Sequence, residues 1–436
     1  MTPRIPEREP RYLRLLMILL GSTTFFEGYD AAIAGVVLPD LARSLSVSER
    51  EVGTAIAVVG LGAFGALFVT AIGDRIGRRP LLIGTTLLYA LFTGLTATAH
   101  GVVSFAAYQF FARIFLIAEY ATAVTIAAEE LPADRRGRAI GLLTALGAVG
   151  LVSVAALYLP LSKTSLGWRG LYLVGVIPLL IVAPLRMRLR ETQRFLEWRA
   201  RGERIARVPF RAVLRTQYRG QLLRLGGVFF FSHFALLSGM TWWTWYATRE
   251  RGFTISLRNR FLIATSLLGI LGYFAAGRLQ DRIGRRPTGT IFFLAGTVSG
   301  VILFQVHDRK MMFASMVGAV FFGLGANPII GALASELFPT EIRATSVAVV
   351  RSLFGTSGAI LGPFVVGRLA DRVHGPIGNV GDSVTLAALF FLPAVAFLRM
   401  LPETAGRELE SIAPPVYEGS DALPVVVGAD DAAPLH

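Results

Sequence analysis

The sequence contains no cysteine, which excludes both a disulfide framework and a thiolate metal site. Its five histidines are scattered and show none of the spacing of a metal-ligand set. Charged residues make up only 17% of the chain, against about a quarter in soluble domains. There is no nucleotide-cradling glycine loop, no His-rich cluster and no Ser-His-Asp constellation. The chain is therefore not expected to be an enzyme, and no metal or cofactor is expected. Lysine occurs only as Lys163 and Lys310, so almost all positive charge is arginine.

What the chain has instead is apolar length: 53% of its 436 residues are hydrophobic. A membrane helix needs about 20 mostly apolar residues. Twelve such runs are expected: Leu13–Pro39, Glu51–Ile72, Leu81–Ala99, Val102–Ala128, Ala139–Leu161, Gly170–Arg186, Leu223–Ala247, Phe261–Leu279, Thr290–Val306, Met311–Leu333, Thr345–Val366 and Val384–Met400. The Arg-rich start followed by an apolar run resembles a secretion signal. Glu27 and Asp30 interrupt that run and no small-residue cleavage site follows, so it is read as a retained first helix. The net charge of +14 sits between the runs, not along one face. It argues for the positive-inside rule and against nucleic acid. With an even number of spans, both termini fall on the side richest in arginine, expected to be the cytoplasmic side of the inner membrane.

An internal repeat organises the chain. Asp74–Pro80 reads DRIGRRP and recurs at Asp281–Pro287, 207 residues later. The same offset relates Glu129, Pro132 and Arg136 to Glu336, Pro339 and Arg343. The expected architecture is all-α and polytopic: twelve transmembrane helices in two pseudo-symmetric six-helix bundles. The expected units are residues 1–188, a cytoplasmic joint at 189–222, residues 223–401, and a tail at 402–436 whose end is disordered. Phe195, Trp198 and Ile205 leave room for short interfacial helices in the joint. Inverted or parallel repeats of this kind are typical of secondary transporters, with the substrate site between halves near mid-membrane.

The basic turns must reverse the chain within a few residues. Gly77 and Gly284 are placed where a positive φ is tolerated, and Arg75, Arg78, Arg282 and Arg285 suit the anionic inner leaflet. GRLQDRIGRRP (Gly277–Pro287) resembles the signature loop of the major facilitator superfamily; the first copy departs from it with Thr70 at the leading glycine. The resemblance implies that Asp74, Asp281 and their arginines make state-dependent contacts that gate alternating access. FEGYDAAIAGVVLPDL (Phe26–Leu41) resembles the first helix of aromatic-acid and related metabolite–proton symporters, with Glu27 in place of the pattern's first Asp and with Gly28, Tyr29, Asp30, Gly35 and Pro39 matching. RETQRFLEW (Arg190–Trp198), ELFPTEIRAT (Glu336–Thr345) and PETAGRELESI (Pro402–Ile412) resemble segments of sugar and metabolite porters.

A charge at mid-bilayer costs about 2.5–3.5 kcal/mol on insertion scales, so each one demands an explanation. Glu27 and Asp30 lie three apart on the first helix and are either proton carriers or static partners of Arg113. Arg113 either holds a substrate carboxylate or pairs internally, with the internal pair favoured. Glu119 has two readings as well, a proton or substrate group and a structural partner. Tyr29, His233 and Arg351 are further substrate-contact candidates; for Arg351 the competing reading is snorkelling to the surface. Trp242, Trp243, Trp245 and Tyr246 read as an interfacial belt. The sequence lacks a Gln-Gln pair on span seven and a Gly-Pro pair on span five, features of hexose carriers and drug antiporters respectively. The expected function is proton-coupled symport of an organic acid or related metabolite by a monomer in the lipid bilayer. The alternatives are a sugar porter, efflux by proton antiport, or a solute sensor.

Overall fold

The computed structural model describes residues 10–130, 133–193, 195–196, 213–371, 375–407 and 409–414. Much of the expected joint, including Trp198 and Ile205, and the tail from 415 lie outside the described residues. In a bilayer core the backbone must satisfy its own hydrogen bonds, which leaves helices as the available solution for apolar runs of this kind. Six helices build the first half: α1 (Pro10–Leu45), α2 (Glu49–Ile76), α3 (Arg78–Ala97), α4 (Val102–Glu130), α5 (Ala133–Leu161) and α6 (Arg169–Arg186). Six more build the second: α7 (Arg219–Glu250), α8 (Ile255–Ile283), α9 (Arg285–Gln305), α10 (Arg309–Glu336), α11 (Thr340–Val349 continuing to Ala370) and α12 (Val380–Arg399).

Ten of these helices are long and apolar enough to cross a membrane among the described residues. In α1 the run is diluted by Glu27, Asp30 and Asp40, and α5 contributes the shorter apolar stretch Val149–Leu161. The helices outlast the apolar runs read from sequence, because polar caps extend them into the interface. Ser48 and Glu51 form a capping box at the start of α2, and Asp308 accepts the Met311 N–H at 2.8 Å to start α10, each satisfying end groups that have no intrahelical partner. Several spans are not single regular helices. The helix α8 breaks near Ile270 and α12 breaks between Ala388 and Phe391. The end of α7 (Tyr246–Glu250) and the middle of α11 (Val350–Gly355) are wound as π-turns.

Packing repeats between halves. α1 packs on α5 as α7 packs on α11, α2 on α4 as α8 on α10, α3 on α4 as α9 on α10, and α3 on α6 as α9 on α12. In the first pair of contacts glycine permits backbone approach: a methyl group at Gly28 would collide with the Gly147 carbonyl, and one at Gly358 with the Phe230 carbonyl. Small residues are how membrane helices approach each other this closely. Large apolar side chains such as Ile18, Phe68 and Val103 point outward, the surface a bilayer solvates.

Candidate functional site

The halves meet through α1–α7, α2–α11 and α5–α8. These contacts concentrate at the ends remote from the DRIGRRP turns. Thr244 donates to the Gly35 carbonyl, and Asn259 donates to the Ala155 carbonyl at 2.8 Å. Gly53 faces Gly367 closely enough that an added methyl would lie 3.1 Å from the Gly367 Cα. Arg258 of α8, fully buried, reaches across to Asp40 of α1 at 3.0 Å and to the Val36 carbonyl at 3.1 Å, while Tyr158 donates to the same Asp40 at 2.7 Å. A guanidinium sealed this deeply is tolerable only because a carboxylate and a carbonyl take its donors. One face is thus latched, and a space is left between the halves deeper in the molecule.

That space is a cavity of about 850 Å³ with largely apolar walls, into which α1 and α4 bring Glu27, Asp30, Arg113 and Tyr120, and α7 and α11 bring His233 and Arg351. Asp30 is buried; Arg113 Nη1 lies 3.5 Å from its Oδ2, and Tyr89 donates to its Oδ1 at 3.4 Å. Glu27, one turn earlier, is half-buried in the same wall with Arg113 and Asp30 as its charged neighbours. Among the described residues it makes no ion pair or hydrogen bond. Arg351 also has no ion-pair partner among the described residues. It is exposed to the cavity from the π-turn Val350–Gly355, a distortion that adds a residue to a turn and recurs at functional sites.

Two other candidates lie elsewhere. Tyr29 is buried between α1 and α6, its hydroxyl donating to the Leu171 carbonyl at 2.8 Å, outside the cavity wall. Glu119 is sealed against Arg186 of α6 at 2.5 Å, and Arg186 also donates to Thr86, to Thr23 at 2.5 Å and to the Leu19 carbonyl at 3.1 Å. The tryptophan expectation is corrected: Trp242, Trp243, Trp245 and Tyr246 are all buried. Trp242 donates to the Pro363 carbonyl at 3.0 Å and Tyr246 to the Phe304 carbonyl at 2.7 Å. They pack α7 against its neighbours in place of forming a belt.

At the basic turns, Gly77 and Gly284 take φ of 105° and 100°. Arg78 meets Glu129 at 3.4 Å and Arg285 meets Glu336 at 2.9 Å. Thr192 donates to Glu129 at 2.6 Å, and Thr404 donates to Glu336 at 2.5 Å. Glu191 accepts the Arg78 and Arg79 backbone N–H groups at 3.0 and 3.2 Å; Glu403 accepts those of Arg285 and Arg286 at 2.8 and 2.9 Å. Each glutamate therefore sits on the positive end of a helix. Burial would raise the Glu403 carboxyl, but the four backbone N–H donors of Arg286, Arg285, Ala405 and Thr404 outweigh it and hold it below the usual range. Asp281 is exposed and 3.4 Å from Arg285, Arg75 and Arg282 are exposed, and Arg343 donates to the Phe338 carbonyl at 3.0 Å. The side chains of Asp74 and Arg136 lie outside the described residues. Sequence reading missed the roles of Glu191 and Glu403, although a Glu-Thr pair following the last span of each half was a visible signal. It also missed Asp40, Arg186 and Arg258.

Two paired bundles around one largely apolar cavity that holds a few charged side chains, latched on one face, are the architecture of a membrane transporter. The family model of the Major Facilitator Superfamily matches residues 20–363 and 261–415. The chain belongs to that superfamily, and it is a transporter, not an enzyme. The niacin transporter of Acinetobacter baylyi is 27% identical over 427 residues, covering 91% of this chain and 95% of the relative. The 3-(3-hydroxy-phenyl)propionate transporter of Escherichia coli is 26% identical over 386 residues, covering 88% and 93%. Among solved structures, a bacterial homolog of the human lysosomal transporter Spinster, inward-facing and occupied, superposes with a TM-score of 0.76 at 15% identity over 90% of this chain and 97% of the other. The inward-open xylose transporter XylE of E. coli gives 0.71 at 20% identity over 91% and 98%. These two likenesses concern the fold.

Proposed function

We propose that the protein carries a small organic acid into the cell together with a proton, by alternating access, as a monomer in the inner membrane with both termini and the basic turns on the cytoplasmic side. The observation that carries this reading is the cavity's charge set: Glu27 and Asp30 with Arg113 on one wall, and on the other Arg351, which has no ion pair among the described residues. Two carboxylates and two guanidiniums leave the empty cavity near neutral. A carboxylate substrate adds one negative charge, and a net charge in a low-dielectric site is costly. Taking up one proton on Asp30 or Glu27 restores neutrality, so substrate and proton enter together. Protonation of Asp30 also weakens its hold on Arg113, which then joins Arg351 in binding the substrate carboxylate.

The relatives named above carry niacin and 3-(3-hydroxy-phenyl)propionate, both acids on a small ring, which supports the same substrate class. A neutral sugar leaves Arg351 without a partner and is the weaker reading. Glu119 and Tyr29, with their partners outside the cavity, hold α1, α4 and α6 together and take no part in the proton route. The rocking bodies are residues 1–188 and 223–401, joined by 189–222, and the charged turns around Asp74, Arg136, Asp281 and Arg343 are released and remade as they rock.

Asp30→Asn tests the reading in proteoliposomes. Uphill accumulation of benzoate driven by an inward proton gradient is expected to vanish, while exchange of benzoate across the membrane persists. Accumulation that survives the substitution removes Asp30 as the coupling group.

A further inference from the structure

The cavity wall contributed by α7 and α11 holds one polar group that the charge argument leaves unused. His233 lines the cavity and is half-buried. Its ring stacks on Phe229, with centroids 5.6 Å apart and planes 16° from parallel. Its Nδ1 lies 2.9 Å from the Phe229 carbonyl oxygen and 3.4 Å from Ser232 Oγ. A carbonyl oxygen only accepts, so Nδ1 carries the proton, and in the neutral ring Nε2 is left with a lone pair. The tautomer is thus assigned from the partner. Nε2 has no hydrogen-bond partner among the described residues and is not sealed away from the cavity.

The stacking and the bond to Phe229 fix the ring, so Nε2 is an acceptor held in place before anything binds. Gly355, the last residue of the π-turn that carries Arg351, sits beside it: a methyl added there would meet Phe229 Cδ1 at 3.4 Å and His233 Cε1 at 3.8 Å. The absence of a side chain at Gly355 brings the Arg351 turn and the imidazole to one corner of the cavity. We infer that His233 is a specificity-determining residue whose Nε2 accepts a hydrogen bond from a hydroxyl or N–H of the substrate, so that the transported acid carries such a donor on the body that its carboxylate anchors at Arg351. This rests on the organic-acid reading above and narrows it.

The physical basis is the asymmetry of buried polar groups. A donor that meets Nε2 replaces water with a preoriented bond, and a ligand without one strips the acceptor of water and returns nothing. Discrimination from a single such contact is about tenfold.

The test uses purified protein in proteoliposomes and three probes: benzoate, 3-hydroxybenzoate and 4-hydroxybenzoate. The wild type is expected to take up at least one hydroxy acid about tenfold more efficiently than benzoate. In His233→Phe, which keeps the ring stack and removes both nitrogens, the ratio is expected to fall toward one. In His233→Gln, which keeps a polar acceptor, part of the preference is expected to return. Because the readout is a ratio within one variant, a loss of folded protein cancels from it; should His233→Phe give no transport at all, binding of the same probes to the detergent-solubilised variant reads the ratio instead. A preference unchanged in His233→Phe, or no preference in the wild type, overturns the role of His233 while leaving the organic-acid reading standing. If none of the three acids moves or binds, this inference fails; the organic-acid reading fails with it only if aliphatic acids neither move nor bind either.

Discussion

The two halves share one scaffold and differ in their chemistry. At the basic turns the match is close, group for group: Arg78 with Glu129, Thr192 and Glu191 in the first half corresponds to Arg285 with Glu336, Thr404 and Glu403 in the second. In the cavity the match disappears. The first half brings two carboxylates and a paired arginine, and the second brings an imidazole and an arginine with no ion pair among the described residues. On the reading proposed above, the symmetric part serves the rocking that both bodies share, and the asymmetric part serves the recognition of substrate and proton.

The comparison is broken most severely where the halves are latched together. Arg258→Met removes the cation that ties α8 to Asp40 and leaves that half-buried carboxylate with Tyr158 and, 3.6 Å away, the exposed Arg43 of its own helix. Breaking a buried pair in this way costs about 3 kcal/mol, and here that cost falls on the state closed at this face. Since the chain has no cysteine, a single reporter cysteine at Val59, in the cavity wall, needs no background removal. Its labelling by an impermeant maleimide from the latched face is expected to rise at least about tenfold. Unchanged labelling means that the latch does not hold the closed state.

The asymmetry of the cavity is tested by Arg351→Ala. Loss of one charge-assisted contact to a carboxylate is worth about 2 kcal/mol, or roughly 30-fold in uptake efficiency for benzoate. Tyr29→Phe, whose parent hydroxyl bonds a backbone carbonyl away from the cavity, is expected to lower thermal stability and leave the apparent affinity for benzoate alone. If the two variants affect affinity equally, the division between recognising and supporting residues is wrong.

The symmetry of the turns is tested by Glu191→Gln and Glu403→Gln. Each removes an anion from the start of a helix and is expected to destabilise its half by about 1 kcal/mol, read as a similar drop in melting temperature. Smallest of all is a pH effect. The folded pKa of Glu403 is depressed from its ordinary 4.5. Its contribution to stability is therefore complete above about 4.5 and is lost as pH falls through the lower folded value. The melting temperatures of wild type and Glu403→Gln are expected to converge on that acid limb and to stay apart, at a constant distance, near neutral pH.

Much of the scaffold was legible because it rests on periodic or repeated signals. Leu13–Pro39 announced α1, and the break between the runs Thr290–Val306 and Met311–Leu333 fell where α9 gives way to α10. Gly77 and Gly284 could be placed in the turns because few other residues tolerate that φ. The failures have one cause. A polar or aromatic residue near the end of an apolar run reads as interfacial, yet whether it faces water or another helix is decided by packing. Arg186 and Arg258 looked like boundary charges and are fully buried, and the tryptophans of α7 looked like a belt and are core. The π-turn under Arg351 also left no periodic trace, since one extra residue in a turn does not change the apolar count. Spacing placed Glu27, Asp30 and Arg113 in the membrane, but only the packing of α1 on α4 showed which of them pair.

The most direct test of a proton-coupled acid carrier is uptake into proteoliposomes of a panel of aromatic and aliphatic acids, sugars and cationic drugs, each with and without an inward proton gradient. The account predicts that an acid accumulates only with the gradient and that an uncoupler abolishes the accumulation. Accumulation of a sugar alone, or movement of a cation only against the gradient, would contradict it.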